Sequence, residues 1–211
     1  MANIKDYYDL ISLIPVNQQS ALIKKTIWGG FEKEDPINAI FGDKQEVEIS
    51  REDVFSEDDI EKKAIMVLMW GYPTGGRGKN IEKIIKKFDT LVCILESVKG
   101  NNFTMTEAKA DNLIKGLDSI SGVGISTWSK FLYFFNVSID SMKCQIFDEK
   151  IVDSLNKKQF EDLGIDSWSH TKEDYFRYIE LVNNLATSMK VLPEQIELFL
   201  FYYNLSYKFT E

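Results

Sequence analysis

Histidine is nearly absent from this chain of 211 residues: His170 stands alone, which argues against a histidine-ligated metal and against a Ser-His-Asp triad. Cysteine is almost as scarce. Cys93 and Cys144 allow one disulfide at most, so a disulfide scaffold, a four-cysteine zinc site and a four-cysteine iron–sulfur cluster are excluded. Only four prolines and twelve glycines interrupt a composition that is 44% hydrophobic, which excludes disorder and collagen-like repeats. No apolar run reaches the length of a membrane span, and residues 1–8 are polar, with no signal-peptide core. A soluble, intracellular, cytoplasmic protein without a membrane partner is expected. Protein partners stay unknown.

Positive charge is also in deficit, with a net of −8, which argues against a grip on nucleic acid by bulk electrostatics. The imbalance is local. Residues 41–61 hold nine acids against two bases, a net of −7, so the rest of the chain is close to neutral at −1. Residues 77–87 carry five bases against one acid, a net of +4. Two solvated faces and a local polyanion-binding face are both compatible with that pattern.

Helical periodicity dominates. Ile81, Ile84, Ile85 and Phe88 fall on one face, and Val92 and Leu95 continue it; Tyr175, Tyr178, Ile179 and Val182 repeat the spacing, as do Ile196, Phe199, Leu200 and Tyr203. Ile60, Ala64, Val67 and Leu68 form another such face. Ser56 with Asp59, and Thr104 with Glu107, read as capping boxes, and Pro193 fits the first turn of the last helix. A single short strand is expected around residues 45–49. The expected fold is all-α or mostly helical.

The segment that carries chemistry is Leu117-Asp118-Ser119-Ile120-Ser121-Gly122-Val123-Gly124-Ile125-Ser126. A helix should end near Ile120, turn tightly through Gly-Val-Gly, and give way to an apolar helix with Trp128, Phe131, Leu132 and Phe135. Glycine supplies positive φ in such a turn and leaves no Cβ in the way of a phosphate. The second helix then presents the unsatisfied N–H groups of its first turn, and the positive end of its dipole, without needing a lysine. An ordinary helix–turn–helix connection has the same outline.

The pattern Leu-x-x-Ile-x-Gly-Val-Gly-x-Ser, followed by an apolar helix, then Ile146-Phe147-Asp148 and a helix over residues 149–155, resembles the helix-hairpin-helix DNA glycosylase superfamily over roughly residues 104–160. The aromatic helix 194–205 and the loop Trp70-Gly71-Tyr72-Pro73-Thr74-Gly75-Gly76-Arg77-Gly78 resemble, more loosely, its bacterial 8-oxoguanine glycosylase-like branch. The resemblance implies a two-lobed fold in a single domain spanning 1–211, with residues 1–100 plus the C-terminal helices as one lobe and 101–165 as the hairpin lobe. It implies excision of a damaged or modified base from DNA, an oxidised purine among the options, by N-glycosidic hydrolysis. Asp148 becomes the catalytic carboxylate, which stabilises an oxocarbenium-like sugar and steers water. Capping the following helix is the alternative use of Asp148, and the two are compatible. Ser121, Gly122, Val123, Gly124, Ile125 and Ser126 become the phosphate-binding residues. No cofactor is required, though family members can hold a sodium or potassium ion on hairpin carbonyls, here those of Asp118, Ile120 and Val123.

Two departures qualify the carry-over. Members that also cut the strand place a Schiff-base lysine two residues after the second glycine, where this chain has Ser126, so a monofunctional enzyme without lyase activity is expected. Lys130 and Lys143 are the displaced-lysine alternatives, both read as solvated surface residues. The interval from Ser126 to Asp148 is also a few residues longer than usual, which leaves Asp140 as the fallback carboxylate. The loop after Trp70 is no Walker A motif; Arg77 and Lys79 either face DNA phosphates or belong to a plain interhelical loop. Trp70 and Tyr72 either line the pocket for an extruded base or pack in the core, while Trp28, Trp128 and Trp168 read as packing and His170 as surface. Two other classes stay open: a non-catalytic hairpin DNA-binding module, and a helical protein-interaction domain.

Overall fold

Capping residues set the helix boundaries in the computed structural model, which describes residues 2–32, 34–76, 78–100, 103–157, 160, 163 and 167–207. The helices among these are α1 (Tyr8–Ser12), α2 (Lys25–Trp28), α3 (Glu34–Phe41), α4 (Arg51–Ser56), α5 (Ile60–Gly71), α6 (Asn80–Ile85), α7 (Phe88–Glu96), α8 (Glu107–Asp118), α9 (Ile125–Phe134), α10 (Glu149–Asn156), α11 (Lys172–Met189) and α12 (Pro193–Tyr207). Five short strands accompany them: β1 (Ser20–Lys24), β2 (Glu46–Ser50), β3 (Phe103–Met105), β4 (Val137–Ile139) and β5 (Met142–Lys143). The fold is mostly helical, and the single strand expected around residues 45–49 is one of several. It runs over β2 and pairs antiparallel with β1, Ile23 opposite Val47 and Ala21 opposite Ile49. β3 pairs parallel with β4, Phe103 opposite Val137. A strand of three residues leaves too little alternation to register as a period.

Two expected capping boxes move. Ser56 closes α4, and Asp59 alone caps α5, its carboxylate accepting the Lys62 N–H at 2.8 Å. Thr104 lies in β3, and α8 opens after Thr106 with no side-chain cap of its own. A capping box forms instead at Ser50, whose hydroxyl accepts the Asp53 N–H while Asp53 accepts the Ser50 N–H. The long stripe from Ile81 to Leu95 is split between α6 and α7 at Lys86-Lys87, yet Ile81, Ile84, Ile85, Phe88, Leu91 and Leu95 are all buried, as the periodicity requires.

The chain divides into two compact units, residues 17–141 and residues 1–16 with 142–211. This is not the division expected from the sequence: the hairpin groups with the N-terminal helices, and the first sixteen residues group with the C-terminal ones. The reason lies in α5. Its residues Ala64 to Met69 are buried without interruption, so that stretch is apolar all round and must be enclosed. It is packed by α3, α4, α7, α9 and the β1–β2 ribbon. Each large side chain so buried contributes roughly 1.5–3 kcal/mol. α9 is enclosed to the same degree from Thr127 to Phe134, and α8 lies on both α7 and α9, which ties the hairpin into this unit.

In the second unit α10 and α11 both pack on α12. The Ser154 hydroxyl donates to the Leu200 carbonyl at 2.6 Å. Phe160 meets Tyr7, Phe199 and Tyr203 with centroids 4.9–5.7 Å apart, separations typical of favourable aromatic pairs. Phe147 stacks on Tyr178 at 4.7 Å. Cys144 is fully buried; burial pushes its thiol up to about 12 and the Tyr175 phenol well above its ordinary value.

Candidate functional site: the hairpin and the Asp148 cap

α8 ends where the pattern predicts. The Ser119 N–H reaches back to Lys115 O, the Ile120 N–H to Leu117 O, and the Val123 N–H to Ile120 O at 3.0 Å, which closes the turn. Gly122 sits at φ +97°, and a Cβ there would stand 2.5 Å from the Asn80 carbonyl oxygen. Glycine is therefore demanded twice, by the left-handed backbone and by the close pass of the turn over the start of α6. Gly124 is different. Its φ is −126° and nothing lies within 4 Å of a built Cβ, so neither backbone nor packing requires glycine there.

Gly124 is the N-cap of α9, and its carbonyl accepts from Thr127 and Trp128. The N–H groups of Gly124, Ile125 and Ser126 donate to no protein group among the described residues. No acid lies in the first turn of α9. Gly124 is exposed, and Ile125 and Ser126 are half-buried. Unsatisfied N–H groups, the positive helix end and an absent side chain together make a place for an anion. Ser121 is exposed beside it, and Val123 is buried and anchors the turn.

The glycine-rich loop leads into α6 on the other side of that close pass. Gly75, Gly76, Gly78 and Lys79 all have positive φ, at 83°, 74°, 62° and 60°. Lys79 is exposed. Arg77 lies outside the described residues.

Lys130 overturns one expectation. It is 5% exposed rather than a solvated surface lysine. Its amine donates to the Ser126 carbonyl at 2.8 Å and lies 5.6 Å from the Tyr72 ring centroid. Gly71 makes the space: a Cβ there would fall 2.8 Å from the lysine Cδ. The Tyr72 hydroxyl is bonded to Thr127 Oγ1 at 2.6 Å, so Gly71, Tyr72, Thr127 and Lys130 form one cluster around the first turn of α9. An amine so placed can act as a buried nucleophile or can simply pin the helix start.

Trp70 is half-buried and tied down. Its indole N–H donates to the Gln19 carbonyl at 3.2 Å, and its ring meets Phe134 edge-on at 5.2 Å. The Arg51 guanidinium lies 5.2 Å from that ring and 4.9 Å from Tyr133, donates to the Tyr133 hydroxyl at 2.8 Å and to Gln19 Oε1 at 2.7 Å, and is wholly buried. Sequence reasoning missed Gln19 and Arg51. The available signal was one arginine inside an acidic run, which reads as a solvated face. Trp28 and Trp128 are core residues, and Trp168 is buried.

In the other unit Asp148 is the N-cap of α10. Its Oδ1 accepts from Lys150 N at 3.0 Å and Ile151 N at 3.3 Å. Its Oδ2 accepts no hydrogen bond among the described residues, and the side chain is half-buried behind the enclosed Ile146 and Phe147. One oxygen holds the helix and the other remains available to stabilise positive charge or accept a proton. Asp140, at φ 48°, is exposed and accepts the Glu107 N–H at 3.4 Å, which places it as an outside cap on α8. Lys143 is ion-paired with Glu194, and its backbone is clamped by the Asn183 amide at 3.1 and 3.0 Å. His170 is exposed, its ring 5.6 Å from Phe147.

No group of three or more His, Cys, Asp or Glu among the described residues could hold a metal. The carbonyls of Asp118, Ile120 and Val123 lie at and just beyond the negative end of α8, and that of Ile120 accepts the Val123 N–H. No described helix is long and apolar enough to cross a membrane. No curated protein and no solved structure matches the chain. A family model described as "putative 8-oxoguanine DNA glycosylase OGG-like protein" matches residues 14–201, and the chain belongs to that OGG-like family.

Proposed function

We propose that the protein removes an oxidised purine from DNA by breaking its N-glycosidic bond. The observation that carries this reading is the start of α9: three N–H groups with no protein partner, no acid in the turn, and a glycine at position 124 that the fold itself does not require. The family supplies DNA as the partner. A backbone grip of this kind reconciles phosphate binding with a net charge of −8.

In this reading the hairpin N–H groups hold a backbone phosphate, with Ser121, Ser126 and Lys79 at its margin. Asp148 supplies the carboxylate. As the C1′–N bond lengthens, its electron pair leaves with the base, which takes up a proton, and Asp148 Oδ2 stabilises the cationic sugar. Water adds to C1′, and its proton passes to the carboxylate or to solvent. The carbonyls of Asp118, Ile120 and Val123 would hold a monovalent ion that steadies the turn.

One observation favours a second reading of the nucleophile. Lys130 is enclosed in a space that Gly71 opens, with its amine held at the Ser126 carbonyl in the first turn of α9. Its attack on C1′ would expel the base, which takes up the proton that the amine gives up; the C1′–O4′ bond then opens to leave an iminium link to the sugar, and loss of a C2′ proton expels the 3′ phosphate and breaks the strand.

End-labelled duplexes, each carrying one 8-oxoguanine, uracil, alkylated purine or adenine opposite 8-oxoguanine, test the proposal with and without alkali and with borohydride. The hydrolytic reading expects alkali-dependent cleavage at 8-oxoguanine and no borohydride-trapped complex. Trapping that disappears in Lys130→Met assigns the lysine instead. Binding without excision on every duplex leaves the non-catalytic DNA-binding module.

A further inference from the structure

We infer that Gln19 reads the extruded base, as a hydrogen-bond donor whose orientation Arg51 fixes beside Trp70. The inference rests on the base-excision reading and goes beyond it by naming what the base must offer. A guanidinium only donates, so the contact of Arg51 Nε with the Gln19 side chain at 2.7 Å assigns the amide oxygen to the arginine. The amide nitrogen is therefore turned the other way. It donates to nothing among the described residues, and Gln19 is half-exposed.

The surroundings make this a built arrangement rather than a chance rotamer. Arg51 is wholly buried between the Trp70 and Tyr133 rings. Its backbone N–H donates to the Gln19 carbonyl at 3.0 Å, and the Trp70 indole N–H donates to that same carbonyl at 3.2 Å. Gln19 is thus held at backbone and side chain, against an aromatic ring that is itself only half-buried. An indole with the Arg51 guanidinium over its ring, beside one fixed amide donor, suits a planar heterocycle that presents a carbonyl. An oxopurine fits. Adenine, with an amino donor where guanine bases carry a carbonyl, faces donor with donor.

Gln19→Glu isolates the claim, because it keeps an oxygen for Arg51 and replaces the free amide donor with an acceptor. Tryptophan fluorescence is titrated with 8-oxo-2′-deoxyguanosine and with deoxyadenosine, in wild type, Gln19→Glu, Gln19→Asn and Trp70→Phe. The expected result is quenching by the oxopurine nucleoside in wild type, absent in Trp70→Phe, and weakened about tenfold or more in Gln19→Glu, since a site built to donate then meets its ligand with an acceptor. Gln19→Asn, which keeps the amide but withdraws it by one carbon, should fall between the two. Equal binding by wild type and Gln19→Glu overturns the inference, as does a wild type that binds neither nucleoside or prefers deoxyadenosine. Loss of excision with nucleoside binding intact would count against the catalytic reading and leave the role of Gln19 standing.

Discussion

The two hairpin glycines should fail in opposite ways when each is replaced by alanine. At Gly122 the backbone is at φ +97° and the new methyl would stand 2.5 Å from the Asn80 carbonyl oxygen. The left-handed conformation costs a non-glycine residue roughly 1–2 kcal/mol, and forcing an atom against fixed backbone adds about 1–3 kcal/mol. A total near 2–5 kcal/mol in a chain of this size lowers Tm by roughly 4–20 °C. At Gly124 the backbone is extended and the methyl meets open space. Exchanging an N-cap glycine for alanine costs about 1 kcal/mol or less, so Tm should move by only a few degrees. DNA affinity should nevertheless fall, because a Cβ now stands where a phosphate must approach. Calorimetric melting beside fluorescence-polarisation binding to a short duplex measures both effects. A Gly124→Ala protein that binds DNA as wild type does would refute the hairpin as the phosphate site. A Gly122→Ala protein that melts unchanged would refute the packing argument.

Other outcomes follow from single groups. Asp148→Ala should cost roughly 1 kcal/mol through the lost cap, whereas Asp148→Asn should melt within a few tenths of that figure of wild type, because asparagine caps as well as aspartate does; thermal melts of the pair check this. Gly71→Ala should displace the Lys130 side chain and lower Tm through overpacking worth about 1–3 kcal/mol, read by the same melts. Cys93, exposed, should react with a thiol reagent at pH 8 while Cys144 stays protected until the protein unfolds. The raised Cys144 thiol carries a sign. Below its ordinary value of 9.0 both states are protonated and its contribution is fully present. Above that value the unfolded chain ionises first, so stability falls as pH rises toward about 12; Cys144→Ala should flatten that part of a denaturation-versus-pH curve.

What could be read from the sequence was what repeats or what glycine forces. The faces holding Ile81, Ile84 and Phe88, and Tyr175, Tyr178 and Val182, are buried as their spacing requires, because helical period records which side of a helix leaves water. The hairpin was legible because Gly122 has no substitute at its φ and its approach to Asn80. β3 and β4 were not legible, since a parallel pair of three residues is fixed by tertiary position rather than by alternation. Thr104 looked like a cap because a hydroxyl three residues before a glutamate is also what a strand end can carry. Lys130 was read as solvated because charge usually is, and Arg51 was passed over inside an acidic run. Their burial depends on partners remote in sequence: Gly71 and Tyr72 for the lysine, Trp70 and Tyr133 for the arginine. Local pattern does not encode such enclosure. Asp148 could be placed as a cap, while the catalytic role proposed for it comes from the resemblance alone.

The most direct test of the account is single-turnover excision from a duplex carrying one 8-oxoguanine, with wild type and Asp148→Asn side by side and DNA affinity measured in parallel. The account predicts excision by wild type and a loss of roughly 10²–10⁴-fold in the variant, the range for removing a charge-stabilising or proton-accepting group, with unchanged melting and binding. A variant that excises at the wild-type rate would contradict it.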